Sequence, residues 1–107
     1  VRAAVSAVAG YARLVAVGAN CSHPDVIDEV IDVVRANAGG VSLIAYPNLG
    51  RAWNAETRRW AGDISDPFAP DRVADWTRRG VSMLGGCCGV GSTDIARLVA
   101  TATPPVA

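Results

Sequence analysis

The sequence predicts an α/β fold in which short parallel strands alternate with helices. Two observations lead there. Apolar runs of strand length recur three times between segments of helical period, and each run ends in a loop marked by Cys, Gly, Pro or Asn. The chain has 107 residues, half of them hydrophobic and 19% charged, which calls for a core and admits one domain or a piece of one.

Each element has its own signals. Residues 2 to 11 read as a helix, and Leu14-Val15-Ala16-Val17-Gly18 reads as a near-continuous apolar strand of the kind buried on both faces. It gives way to the loop Ala19-Asn20-Cys21-Ser22-His23. Pro24 suits the first position of a helix, and Asp25, Asp28 and Glu29 put negative charge where the helix dipole favours it. Val26, Ile27, Val30, Ile31, Val33 and Val34 supply a broad apolar face before Gly39-Gly40 ends that helix. Val41 to Tyr46 is the second strand, stopped by Pro47.

From Pro47 to Pro70 runs a polar stretch punctuated by Gly and Pro, far longer than the usual βα connection of about two to six residues. A small hairpin is predicted in it from Trp53 to Trp60. Pro70-Asp71 opens a third helix with Val73, Ala74 and Trp76 facing inward, Arg78-Arg79 in its last turn and Gly80 as its cap. Val81 to Leu84 is the third strand, leading into Gly85-Gly86-Cys87-Cys88-Gly89-Val90-Gly91. Ser92 or Thr93 caps a final helix through about Ala100, with Pro104-Pro105 beyond it.

Composition excludes several functions. Ten basic and ten acidic side chains leave no net charge, so the broad positive field that gathers phosphates is missing and nucleic acid is not an expected partner. No apolar run approaches the roughly 18 residues of a membrane helix, and no membrane partner is expected. Three cysteines make an odd count for a disulfide framework, which favours a reducing compartment, the cytoplasm, with the thiols kept for chemistry.

All three cysteines follow directly on predicted strands: Cys21 after the first, Cys87 and Cys88 after the third. Sites in parallel α/β sheets and barrels are built at this carboxyl edge, so the sulfurs can converge. Adjacent residues of a regular strand point to opposite faces, and Cys87 and Cys88 share a target only if the backbone leaves the β conformation, which Gly85, Gly86 and Gly89 permit. Three thiolates facing one cavity repel one another unless a cation neutralises them, and soft ligands with no redox requirement suit Zn²⁺. The residues therefore read as a three-sulfur zinc site with one position open. Beside this stand a purely structural Cys21 and a vicinal disulfide or redox pair at Cys87-Cys88.

Val17-Gly18-Ala19-Asn20-Cys21, Tyr46-Pro47-Asn48-Leu49-Gly50 and Gly85-Gly86-Cys87-Cys88-Gly89 occur in the order and at about the separations of the homocysteine S-methyltransferase family, which the chain resembles over nearly its whole length. The resemblance implies a partial (β/α)₈ TIM barrel, its last three βα units, with residues 1–107 forming the C-terminal portion of a homocysteine-binding domain. It implies a catalytic Zn²⁺ held by Cys21, Cys87 and Cys88, with homocysteine and a small sulfonium methyl donor, S-methylmethionine or S-adenosylmethionine, as substrates and methionine as product. The pattern departs from the family at Leu49, where a Ser is usual, and after Gly89, where the usual Thr-Thr-Pro and His are replaced.

Around that centre, Asn20 and Asn48 are expected to touch the amino-acid part of the substrate or to orient a ligand, against simple loop hydrogen bonding. Tyr46 is expected to line the cavity or approach the metal, and His23 to serve the helix entry rather than the metal. Trp53, Trp60 and Trp76 are assigned to packing, with one in the long excursion placed to face a methylated cation. A barrel of this kind needs on the order of 250 residues, so the chain is expected to be a fragment without turnover of its own, with exposed sheet edges that favour self-association. The competing expectation is a non-catalytic α/β module in which the thiols hold a structural zinc or form a redox switch.

Overall fold

The chain runs α1 (Arg2–Val8), β1 (Ala16–Asn20), α2 (Pro24–Asn37), β2 (Ser42–Tyr46), β3 (Ala52–Asn54), β4 (Arg59–Ala61), α3 (Pro70–Arg78), β5 (Val81–Leu84) and α4 (Ser92–Ala102). The computed structural model describes residues 1–102, and the predicted Pro104-Pro105 stop lies outside the described residues. Strands β1, β2 and β5 form one parallel sheet in that order, so successive βα units are neighbours in space. The hairpin β3-β4 stands apart as an antiparallel pair with Trp53 opposite Trp60.

Strand β1 lies two residues later than its apolar run predicts. The Leu14 N–H is taken by the Tyr11 carbonyl in a turn, so the ladder opens at Ala16 and continues to Asn20, which pairs with Tyr46. Hydrophobicity marked the run, but the partner strand set its ends. The first helix also stops early, at Val8, where a turn over Ala9 and Gly10 follows.

The expectation of a strand buried on both faces is corrected. Leu43 and Ala45 are fully buried under the helices, whereas the alternate residues Gly18, Asn20 and Tyr46 are exposed. Among the described residues, helices cover one face of the sheet and nothing covers the other. A bulge keeps β5 in step with this pattern. Leu43 pairs with Val81 and Ile44 with Met83, so Ser82 is the unpaired extra residue; Met83 joins the open face and Leu84 the covered one.

Helix α2 supplies the centre of the core with Ile27, Val30, Ile31 and Val34, which pack with Leu43, Ala45, Val81 and Trp76. Burial of each such side chain contributes roughly 1.5–3 kcal/mol. Helix α3 is locked to α2 by Trp76, wholly buried, whose Nε1–H donates to Asp28 Oδ1 at 2.5 Å. Arg72 donates to Asp25 and Asp28, and Arg79 to Asp28, Asp32 and Asp75, so the acidic residues read as helix-dipole partners also bind the next helix.

A second, smaller core of Phe68, Val73 and Leu98 seats α4. The excursion is tied to α4 by Arg97, which donates to both carboxylate oxygens of Asp66 at 3.0 and 3.2 Å. These hydrogen bonds hold the Asp66 carboxyl below its usual 3.8. A depressed carboxylate contributes stability above its unfolded pKa and loses it as pH falls through the folded value. Asp66→Asn is therefore expected to lower the urea midpoint at pH 7, with the difference shrinking as pH falls through the folded value and small throughout because the pair is half-exposed.

Candidate metal centre

The backbone just past β2 is the spine of the site. The Tyr46 carbonyl accepts the Cys21 N–H at 2.8 Å, the Pro47 carbonyl accepts the Cys87 N–H at 2.9 Å, and the Asn48 N–H donates to the Ser22 carbonyl at 3.0 Å. The strand thus extends as a shared partner for the loops after β1 and β5, and both cysteine loops hang from it. Side chains complete the clamp. Asn48, 6% exposed, donates from Nδ2 to the Cys21 carbonyl at 3.1 Å and accepts the Gly50 N–H on Oδ1 at 2.8 Å.

Held on both of its peptide groups, Cys21 adopts φ 52°, a left-handed conformation that non-glycine residues seldom take. Strain of this kind costs of order 1–3 kcal/mol and persists where the surroundings over-determine it. On the opposite loop, the Val90 N–H closes a turn onto the Cys87 carbonyl, with Gly89 at φ 84° in the position where such a turn needs a positive angle. Gly85 serves a different purpose: a Cβ there would lie 2.2 Å from the Tyr46 ring, so its bare backbone lets the loop pass over that side chain.

The result is convergence. The Cys21 and Cys88 sulfurs are 3.4 Å apart, those of Cys87 and Cys88 are 3.9 Å apart, and all three lie within 4.8 Å of one another. A disulfide requires about 2.05 Å, and all three are free thiols. Cys21 and Cys87 are half-buried and Cys88 is exposed, so the trio has a protein side and an open side. It is close enough to share one metal ion.

Charge within the trio is uneven. Hydrogen bonds from the Cys87 thiol and from the backbone and thiol of Cys88 hold the Cys21 thiol below its usual 9.0. The hydrogen bonds that Cys88 shares with Cys21 and Cys87 push its own thiol up to about 11. A first negative charge therefore settles on Cys21 and a further one is resisted, which is the repulsion that a cation relieves.

The other residues singled out in the sequence fall in three places. Asn20 and Tyr46 sit side by side on the open face, where with Gly18, Ala19 and Ile44 they line a cleft of about 360 Å³. Asn48 is buried and engaged with Cys21, as described. His23 is the N-cap of α2, its Nδ1 accepting the Asp25 N–H at 3.1 Å, which leaves it at the helix entry. Trp76 is core, while Trp53 and Trp60 meet edge to face at 5.4 Å in the hairpin. Sequence reasoning missed the clamp by Asn48, because its partner stands 27 residues away, and missed Arg51 and Trp60 as neighbours of Cys88.

The chain is similar in sequence to known proteins of one family. The family model for homocysteine S-methyltransferase matches residues 1–102. The chain is 34% identical over 79 residues to homocysteine S-methyltransferase 4 of Zea mays, covering 71% of this chain and 23% of the relative. It is 30% identical over 98 residues to homocysteine S-methyltransferase 2 of Arabidopsis thaliana, covering 89% of this chain and 29% of the relative. It is also 31% identical over 87 residues to the betaine-homocysteine S-methyltransferase of Drosophila melanogaster, covering 78% and 25%. The chain thus spans between a fifth and a third of the length of these curated relatives. No solved structure matches it. Among the described residues, no helix is long and apolar enough to cross a membrane. With its family pattern running from the first residue to the last helix, the chain belongs to the homocysteine S-methyltransferase family.

Proposed function

We propose that Cys21, Cys87 and Cys88 hold a catalytic Zn²⁺, and that the chain is the last three βα units of a (β/α)₈ barrel domain which methylates homocysteine to methionine. The methyl donor is a sulfonium compound, S-methylmethionine or S-adenosylmethionine. The observation that carries the reading is the meeting of three sulfurs at the carboxyl edge of a parallel sheet. Three thiolates about 2.3 Å from one tetrahedral ion stand about 3.8 Å apart, and the separations of 3.4 and 3.9 Å bracket that value.

A structural site would close its shell with a fourth ligand. Among the described residues, no further His, Cys, Asp or Glu joins the trio, and an open position is what substrate chemistry requires. Sequential strand order supports the barrel, as does a sheet with one face under helices and the other lined by Gly18, Asn20, Ile44 and Tyr46. On this reading the rest of the barrel encloses that open face. By itself the chain is expected to lack turnover, and the outer edges of β1 and β5, each paired on one side only, favour its self-association. Reduced thiols of this kind belong in the cytoplasm.

When bound, zinc lowers the pKa of an approaching thiol and so supplies a sulfur nucleophile at neutral pH. The transfer balances simply. A bond forms between the homocysteine sulfur and the methyl carbon, the methyl–sulfonium bond breaks with its electron pair left on the departing thioether, and the thiol proton passes to solvent. Asn20 and Tyr46 contact the amino-acid part of the substrate at the open cleft. Asn48 acts through Cys21 as a positioning residue, fixing the strained backbone that aims that sulfur.

Metal analysis with zinc-edge X-ray absorption, with and without homocysteine, tests the proposal. One zinc per chain with three sulfurs, rising to four when the thiol is added, is expected. Absence of zinc, or four sulfurs from the start, overturns it. Asn48→Ala is expected to weaken zinc binding roughly 10- to 100-fold in a chelator competition while leaving the far-ultraviolet circular dichroism unchanged.

A further inference from the structure

Beside Cys88, on the side of the trio facing the β3-β4 hairpin, lies a small cleft of about 60 Å³ lined by Leu49, Arg51, Trp60, Cys88 and Gly89. Its shape is set locally. The Leu49 side chain packs where a Cβ on Gly89 would stand, 2.8 Å away, and Trp60 forms a further wall. The Arg51 side chain is anchored by its own hairpin, with Nε donating to the Gly62 carbonyl at 3.0 Å and Nη2 to the Trp60 carbonyl at 3.1 Å.

Two features of Arg51 point to a ligand. Its charge has no carboxylate partner among the described residues, as is also true of Arg2, Arg13, Arg35, Arg58 and Arg59, but of these arginines Arg51 is the one that lines the cleft beside Cys88. Its guanidinium is already oriented, since carbonyls fix two of its nitrogens and Nη1 takes part in neither bond. A pre-set fork of this kind recognises carboxylates and loses little freedom on binding. The cleft is small and admits a compact polar group such as a carboxylate. A guanidinium in the wall also disfavours the cationic sulfonium end of a donor and favours an anionic group.

We propose that Arg51 is a specificity-determining residue that binds the carboxylate of an amino-acid substrate in the cleft beside Cys88. The assignment rests on the substrate reading given above. Homocysteine and S-methylmethionine both carry that carboxylate, and the test separates them.

Calorimetric titration of the zinc-loaded chain compares homocysteine with 3-mercaptopropylamine, and S-methylmethionine with (3-aminopropyl)dimethylsulfonium, each pair differing only in the carboxylate. For one of the pairs, the carboxylate form is expected to bind roughly 10- to 100-fold more tightly. Arg51→Gln erases the difference and Arg51→Lys keeps part of it; the pair that responds identifies the source. Zinc content and the three-sulfur count stay unchanged in both variants. No preference in either pair, or a preference that survives Arg51→Gln, overturns the proposal. Loss of zinc in Arg51→Gln also overturns it, since the arginine would then be balancing the thiolates. A sulfur count that stays at three when homocysteine is added sinks the methyltransferase reading alone, because the S-methylmethionine pair still reports on Arg51.

Discussion

Cys87→Ser is expected to lower zinc affinity on the order of 1000-fold, well beyond the 10- to 100-fold typical of losing a supporting contact around a metal. On the zinc reading there is no ligand in reserve, since among the described residues no further His, Cys, Asp or Glu joins the three sulfurs. Serine keeps the backbone bond to the Pro47 carbonyl, so the loop stays in place while a thiolate is exchanged for a hydroxyl that remains protonated at neutral pH. Chelator competition reads the affinity, and circular dichroism verifies the fold. Cys21→Ser and Cys88→Ser are expected to lower the affinity as well, because on the same reading each removes one of the three sulfurs. If any of the three retained wild-type affinity, that residue would not be a ligand.

Trp76→Ala is expected to cost about 3–5 kcal/mol, the usual price of emptying a fully buried aromatic site. Domains of this size have only about 5–15 kcal/mol in total, so the variant should be partly unfolded at room temperature. Two losses combine: the ring fills the space between α2, α3 and the sheet, and its Nε1–H satisfies Asp28. Trp76→Phe separates them. It keeps most of the apolar contact, and Asp28 retains Arg72 and Arg79, so a clearly smaller loss is expected. Urea midpoints for the two variants measure both terms. A midpoint for Trp76→Ala within experimental error of wild type would show that Trp76 does not hold the helices together.

What the sequence made legible is chemistry placed by periodicity. Strand runs ending in Asn20-Cys21 and Gly85-Gly86-Cys87-Cys88 put sulfur at one sheet edge, since parallel βα units present all their strand ends on the same side. In the sequence the glycines read as freedom for the backbone. Only Gly89 uses a left-handed angle, whereas Gly85 and Gly86 serve by lacking a side chain where Tyr46 and Val90 pass. The left-handed residue that aims a sulfur is Cys21 itself, and nothing in local composition announces it.

Other features were hidden for the same physical reason. The bond from Asn48 to Cys21 and that from Trp76 to Asp28 join residues 27 and 48 apart, and no helical or strand period carries such information. The open face of the sheet is invisible to periodicity, because an apolar run reads alike whether its second cover comes from the same stretch of chain or from elsewhere. Trp60 reads as a packing residue, and it does meet Trp53, but only the folded hairpin brings it to the wall beside Cys88.

The looped-out serine in β5 has one more implication. Pairing resumes at Met83 in phase with Ile44, and the Gly85 N–H still reaches the Ala45 carbonyl at 3.1 Å. The additional residue is thus absorbed upstream of the thiols, and the tandem cysteines land where an uninterrupted strand would deliver them. A one-residue insertion or deletion at that point is cushioned, whereas the same change between Gly85 and Cys87 would carry the sulfurs out of alignment.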